Sequence, residues 1–159
     1  MDHTTMAHPA HHAAPAAGRK TANLQLATSA TLHCLIGCGL GEVAGMAVGG
    51  ALGWGVLETM LLGIVAGAIG GFALGLVPLV RAGFGFGRAM RQVLIAEGLS
   101  IAVMEAAEVY AQTRMPAVMA GMLHHWEYWA GMAVALAAGF VAAWPVNYWL
   151  VRRGVRHEH

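Results

Sequence analysis

Two long apolar stretches of this 159-residue chain hold thiols, thioethers and carboxylates at helical spacing. The first reads His33-Cys34-Leu35-Ile36-Gly37-Cys38-Gly39-Leu40-Gly41-Glu42 and continues to Met46. Successive helical residues turn by about 100°, so Cys34, Cys38, Glu42 and Met46 advance by roughly 40° each and form one spiralling ladder. The second stretch carries Glu97, Met104, Glu105 and Glu108. With Glu97 as origin, Met104 falls near about −20° and Glu108 near about +20°, Glu105 lies about 80° round, and Ser100 and Gln112 flank them. Matched by depth, Glu97 is expected level with Cys34, Met104 and Glu105 with Glu42, and Glu108 with Met46. If the two faces meet, they build a column of sulfur and carboxylate ligands.

Sulfur ligands favour Cu(I), whereas carboxylate and imidazole also suit Zn(II), Fe(II), Mn(II) and Cu(II). The expected ligand is therefore a transition metal ion, copper before zinc or iron, held by His33, Cys34, Cys38, Glu42, Met46, Glu97, Met104, Glu105 and Glu108. A charged carboxylate at mid-membrane depth costs on the order of 3 kcal/mol, and no Lys or Arg lies within these stretches to pair with one. Protonation and hydrogen bonding across helices is the plain alternative, easier for one glutamate than for four. Cysteine alone is a common small core filler. Its alignment with Glu42 is what argues for ligation.

Weaker capture sites are expected at Met115, Met119, Met122, His124 and His125 in one loop, and at His157 and His159 near the end. His3, His8, His11 and His12, with Met1 and Met6, add to the set on the same side as the end of the chain. The three loop methionines also have the spacing of the lipid face of a short interfacial helix. The histidines have the composition of a solvated tail.

The elements that position these residues follow from composition. Hydrophobic residues make up 58% of the chain and charged residues 11%, against about 25% charged in a soluble domain. Lipid must therefore solvate much of it. Four apolar stretches, 29–50, 55–80, 89–113 and 127–151, each approach the roughly 20 residues needed to cross a bilayer. None alternates with period two, so helices are expected rather than barrel strands. Eight of the nine Lys and Arg fall before the first stretch, between the second and third, or after the fourth; only Arg114 lies elsewhere. The positive-inside rule then puts both ends in the cytosol.

Trp54, Trp126, Tyr128, Trp129 and Trp149 fit interfacial aromatic belts. Gly37, Gly41, Gly45 and Gly49, then Gly63 with Gly67 and Gly71 with Gly75, repeat at four residues. That interval lets helices approach closely, within one subunit first and between copies of a homo-oligomer second. Pro145 and Asn147 in the fourth stretch are expected to bend the helix and bond to a neighbour. Cys34 and Cys38 diverge on a helix and are expected as thiols. The beginning of the chain has no apolar core or cleavage pattern of a signal peptide, and no basic face supports nucleic-acid binding.

The stretches His33-Cys34 to Glu42, Ala96-Glu97-Gly98-Leu99-Ser100 through Met104-Glu105-Ala106-Ala107-Glu108, and Pro145-Val146-Asn147-Tyr148 through Arg156-His157-Glu158-His159 resemble a bacterial membrane family, domain of unknown function 4396. The resemblance runs from about Leu32 onward. It implies a bacterial inner-membrane setting and brings no activity with it.

The expectation is thus an all-α, polytopic transmembrane four-helix bundle with both termini cytosolic. A flexible tail occupies 1–28, the transmembrane domain 29–151, and a basic, His-containing tail 152–159. Its partners are the lipid bilayer, a metal ion and further copies of itself. Its expected function is binding and transport of a transition metal, with no catalytic residue assigned. A membrane di-iron type oxidoreductase ranks second, although the paired Glu-x-x-His pattern is missing, because Glu105 is followed at three residues by Glu108. A metal-free proton or cation path through the glutamates ranks third.

Overall fold

The computed structural model describes residues 16–121 and 123–154. The amino-terminal histidines, Met122, His157 and His159 lie outside the described residues. Five helices follow in order: α1 (Ala16–Ala51), α2 (Val56–Arg81), α3 (Phe86–Gln112), α4 (Pro116–Met119) and α5 (Trp126–Arg152). Four are long, and α4 is a single turn between α3 and α5.

Helix α1 begins at Ala16, inside the segment expected as a tail to residue 28. The residues before the apolar run, among them Ala17, Arg19, Lys20, Ala22, Leu24 and Gln25, are strong helix formers. Hydropathy marks where the apolar surface starts, not where the helix does. At its other end α2 closes with Ala82 N–H on Pro78 O (2.9 Å) and Phe84 N–H on Leu79 O (3.1 Å), with Gly83 between them at φ 89°. Only glycine takes that left-handed position without strain. The chain reverses there, and α3 returns along α2.

Contacts between helices give their directions. Gly37 meets Gly70 and Gly71, Gly45 meets Leu62 and Gly63, and Gly49 meets Thr59; rising numbers on α1 pair with falling numbers on α2, so the two are antiparallel. Gly75 lies against Glu97, Gly71 against Ile101 and Gly67 against Glu105, which makes α3 antiparallel to α2. Thr31 with Asn147, Gly39 with Leu136 and Met46 with Tyr128 set α5 antiparallel to α1. The bundle therefore runs up, down, up, down. Helices α1 and α3 lie mainly across the diagonal, each packed on both α2 and α5.

One consequence concerns charge. Arg19, Lys20, Arg81, Arg88, Arg91, Arg152 and Arg153 gather at one end of the bundle, and Arg114 at the other.

Helices α1, α2 and α5 are long and apolar enough to cross a membrane. Large apolar side chains such as Leu40, Ile69 and Val141 project outward from them, as they must where lipid is the solvent. The chain is a multi-pass membrane protein. Helix α3 has 27 residues, about 40 Å at 1.5 Å per residue, but its acidic and basic residues keep it from the same apolar standard. Trp54, Trp126, Trp129 and Trp149 are exposed near helix ends. Tyr128, expected with them in an interfacial belt, is instead 0% exposed, because the α1 residue Met46 and the α4 residue Val118 cover its ring.

Helix α5 continues through Pro145 to Arg152. Two residues past the proline, Asn147 Nδ2 donates to Thr31 Oγ1 at 2.8 Å, and just before the proline Trp144 Nε1 donates to Thr28 Oγ1 at 3.1 Å. These bonds fasten α5 to α1 at the basic end of the core. Interhelical bonds in lipid average about 0.6 kcal/mol and reach about 1.7. Replacing Asn147 with Ala is expected to cost about 1 kcal/mol, read as a lower unfolding midpoint in detergent with the helix content unchanged.

Candidate functional site

The acidic residues meet at mid-height in the bundle. A β-carbon built on Gly67 of α2 would lie 2.8 Å from Glu105 Oε1 and 3.5 Å from Glu42 Cβ. The same bare patch of α2 thus faces both carboxyl-bearing chains, one from α1 and one from α3. One turn toward the basic end, a β-carbon on Gly71 would lie 2.8 Å from Cys38 Sγ and 3.3 Å from Ile101 Cδ1. A further turn along, one on Gly75 would lie 2.6 Å from Glu97 Oε2. On α5, Gly139 gives Glu108 its room: a β-carbon there would lie 2.8 Å from Glu108 Cδ.

The glycines of α1 and α2 therefore do different work. Those of α1 press on the backbone of α2, as the four-residue interval leads one to expect. Gly67, Gly71 and Gly75 of α2, with Gly139 of α5, also leave notches that hold the ionisable side chains of α1 and α3.

Burial is nearly complete. Glu42 is 1% exposed, Glu105 7% and Glu108 0%. Cys34, Cys38 and Met104 are fully buried in one cluster with Ile101 and Ala143, and neither cysteine is in a disulfide. Met46 closes the other side of the carboxylates, packed with Val118, Tyr128 and Met132. Gln112 Nε2 donates to Glu42 Oε1 and makes a weaker contact to Met132 Sδ at 3.9 Å. Tyr128 O–H donates to Met46 Sδ at 3.6 Å.

Glu42 Oε2 and both carboxyl oxygens of Glu105 and Glu108 make no hydrogen bond of ordinary geometry among the described residues. They are not isolated, since Cys38 and Glu105 are close enough to interact, as are Glu42 and Glu108. No Lys or Arg occurs in 21–80 or 92–113, so no basic side chain of α1, α2 or α3 reaches this depth. A buried polar group without a partner costs about 1–3 kcal/mol, and more if charged. The arrangement has acceptors to spare and sulfur on both sides.

The remaining expected ligands are spread outward. Glu97 is half-buried at the Gly75 notch, two turns from Glu105. His33 is half-buried and one residue off the ladder formed by Cys34, Cys38, Glu42 and Met46. Met115 packs beside the Met46 cluster, and its Sδ would lie 3.0 Å from a β-carbon on Gly131. Met119 lines a cavity at the Arg114 end of the bundle. His124 and His125 are exposed, and His125 Nδ1 lies 3.9 Å from Glu127 Oε2 at the surface. Among the described residues, no three His, Cys, Asp or Glu side chains are disposed as a ready metal-ligand set.

The family profile of DUF4396, a domain of unknown function, matches residues 24–156. The chain belongs to the DUF4396 family. The match covers most of α1, the other three long helices and the whole cluster, and it begins at residue 24, ahead of the Leu32 at which the sequence resemblance starts. No curated protein and no solved structure matches the chain.

Three residues in contact with the cluster were not singled out by spacing as ligands: Gln112, Tyr128 and Met132. Gln112 shows in the helical pattern as a flank of the acidic face. Met132 and Tyr128 lie on α5, whose sequence carries no carboxylate or thiol in the buried span to draw attention to that face.

Proposed function

We propose that this member of the DUF4396 family binds a transition metal cation, copper before zinc or iron, at the buried carboxylates of Glu42, Glu105 and Glu108, and moves it across the membrane. In this reading all four long helices cross the bilayer of a bacterial inner membrane, with the basic end in the cytosol. Cys34, Cys38, Met46 and Met104 supply soft ligands on either side of the carboxylates. Glu97 lies beyond them toward the basic end.

The observation that carries this reading is Glu108. It is fully buried, neither of its oxygens makes a hydrogen bond of ordinary geometry among the described residues, and two further carboxyl groups stand beside it, Glu42 close enough to interact. A cation is the compensation such a group lacks, and the adjoining sulfur favours a soft one. Filling the Gly67 notch supplies a check that substitutes no ligand. Gly67→Ala would press a methyl group on Glu105 Oε1, which can swing away, and set it 3.1 Å from the backbone oxygen of Cys38, which must give by a few tenths of an ångström. The variant is expected to fold but to bind the metal about 10–100-fold more weakly, the range seen when a ligand loses its supporting contacts.

A second reading is favoured by the lack of a ready three-ligand set among the described residues: the cation is a proton, relayed between Glu42, Glu105 and Glu108. Elemental analysis separates the two. Protein purified under reducing conditions from metal-replete membranes is compared with Cys34→Ser/Cys38→Ser and Glu105→Gln/Glu108→Gln variants. Copper or zinc present in the wild type and lost on either change supports the metal reading. A wild type that binds no metal under any condition leaves the proton.

A further inference from the structure

Next to the carboxylates, toward the Arg114 end, lies a cavity of about 240 Å³. It is walled by the end of α1, the start of α2 and the α4 turn, with Met46, Met60 and Met119 among its lining residues and Thr59, Trp54 and Gln112 between them. Met60 was unremarkable in the sequence, one apolar residue in the most apolar helix. Here it joins two methionines from other elements around one space.

Two lining residues also belong to the buried cluster. Met46 accepts the Tyr128 hydroxyl contact, and Gln112 donates to Glu42. Gln112 therefore connects the cavity, which it lines, to the carboxylates, one of which its amide holds. Thioether sulfur is neutral, polarizable and a ligand for soft monovalent cations, and three methionines from separate elements line this one space.

We infer that this cavity is the vestibule through which a soft monovalent cation reaches the carboxylates, with Met46, Met60 and Met119 as transient thioether ligands and Gln112 as the gate that releases Glu42. This rests on the metal reading above and adds the side of access, the oxidation-state class of the ion and the gate. Gln112 is a positioning residue: swinging its amide off Glu42 opens the acceptor it now occupies.

The test uses Ag(I), a redox-inert soft cation, added to the full chain in detergent micelles, following both rate and final amount bound. Met60→Leu/Met119→Leu conserves volume, a change that cores tolerate well, and leaves the carboxylates untouched. It is expected to slow uptake about tenfold or more, with an unchanged final amount, since changes along an approach path act on the association rate over 1–3 decades. Gln112→Ala is expected to speed uptake. Met90→Leu, on α3 near the basic end, serves as the control and is expected to leave the rate alone. A wild-type rate in the double variant, or equal slowing by Met90→Leu, overturns the vestibule while the cation site stands. If the wild type takes up no silver, the vestibule falls together with copper as the ion of the metal reading, and elemental analysis then decides between a harder metal and the proton.

Discussion

Changing Glu105 and Glu108 together to Gln is expected to abolish metal binding and, at the same time, to make the metal-free protein more stable. Both side chains are buried, both lie in electrostatic reach of Glu42, and α1, α2 and α3 bring no basic residue to this depth. Gln keeps the shape and removes the ionisable oxygen. Because a charged group at helix centre costs about 2.5–3.5 kcal/mol on insertion scales, the metal-free variant is expected to gain on the order of 1–3 kcal/mol. The wild type recovers the difference only when its ligand is present: a cation at one hundred times its Kd adds about 2.7 kcal/mol through linkage. Unfolding followed with and without added Cu(I) should show a rising midpoint in the wild type and a higher but metal-independent one in the variant. A variant less stable than the metal-free wild type would mean that the carboxyl groups serve ordinary packing.

The second large effect is expected at the α1–α2 seam. A β-carbon on Gly41 would run into the carbonyl group of Ala66, and one on Gly70 into that of Gly37. Both obstacles are backbone, so the helices must part. Overpacking typically costs about 1–3 kcal/mol, occasionally more, and separating this seam also widens the notches that hold Glu105 and Cys38. Gly41→Ala is expected to lower stability by about 2 kcal/mol or more and to weaken metal binding, though it touches no ligand. Gly50, also on α1, would place its β-carbon in open space. Gly50→Ala is expected to be neutral or slightly stabilising, by up to about 1 kcal/mol, because alanine is the better helix former. Chemical unfolding of the two variants side by side checks the contrast, and equal losses would contradict it.

Much of this was legible in the sequence because helix periodicity is a strong rule. The ladder from Cys34 to Met46 and the acidic face of α3 follow from residue spacing alone, and Gly67 now places Glu42 and Glu105 at one depth. The four long helices follow from the four apolar stretches, although α3 falls short of the apolar standard that the other three meet. The parts that were not legible depend on what each surface meets. The four-residue glycine interval is the same in α1 and α2, yet on α1 it meets backbone and on α2 it also meets carboxylate and thiol. Tyr128 could belong to a membrane boundary or to a core, and only the return of α1 and the α4 turn over its ring decides. Helix α1 reaches back to Ala16, ahead of the apolar stretch, because alanine and basic residues extend a helix without adding hydropathy. Met60 and Met119 share a cavity only because the α1–α2 turn and α4 close over the same end.

The most direct measurement is difference infrared spectroscopy of metal-free membranes before and after Cu(I) is added. A cation bound by Glu42, Glu105 and Glu108 should shift carboxyl bands in the wild type, and the shift should vanish when the three are changed to Gln. Identical carboxyl spectra with and without copper, in protein otherwise shown to be folded, would contradict it.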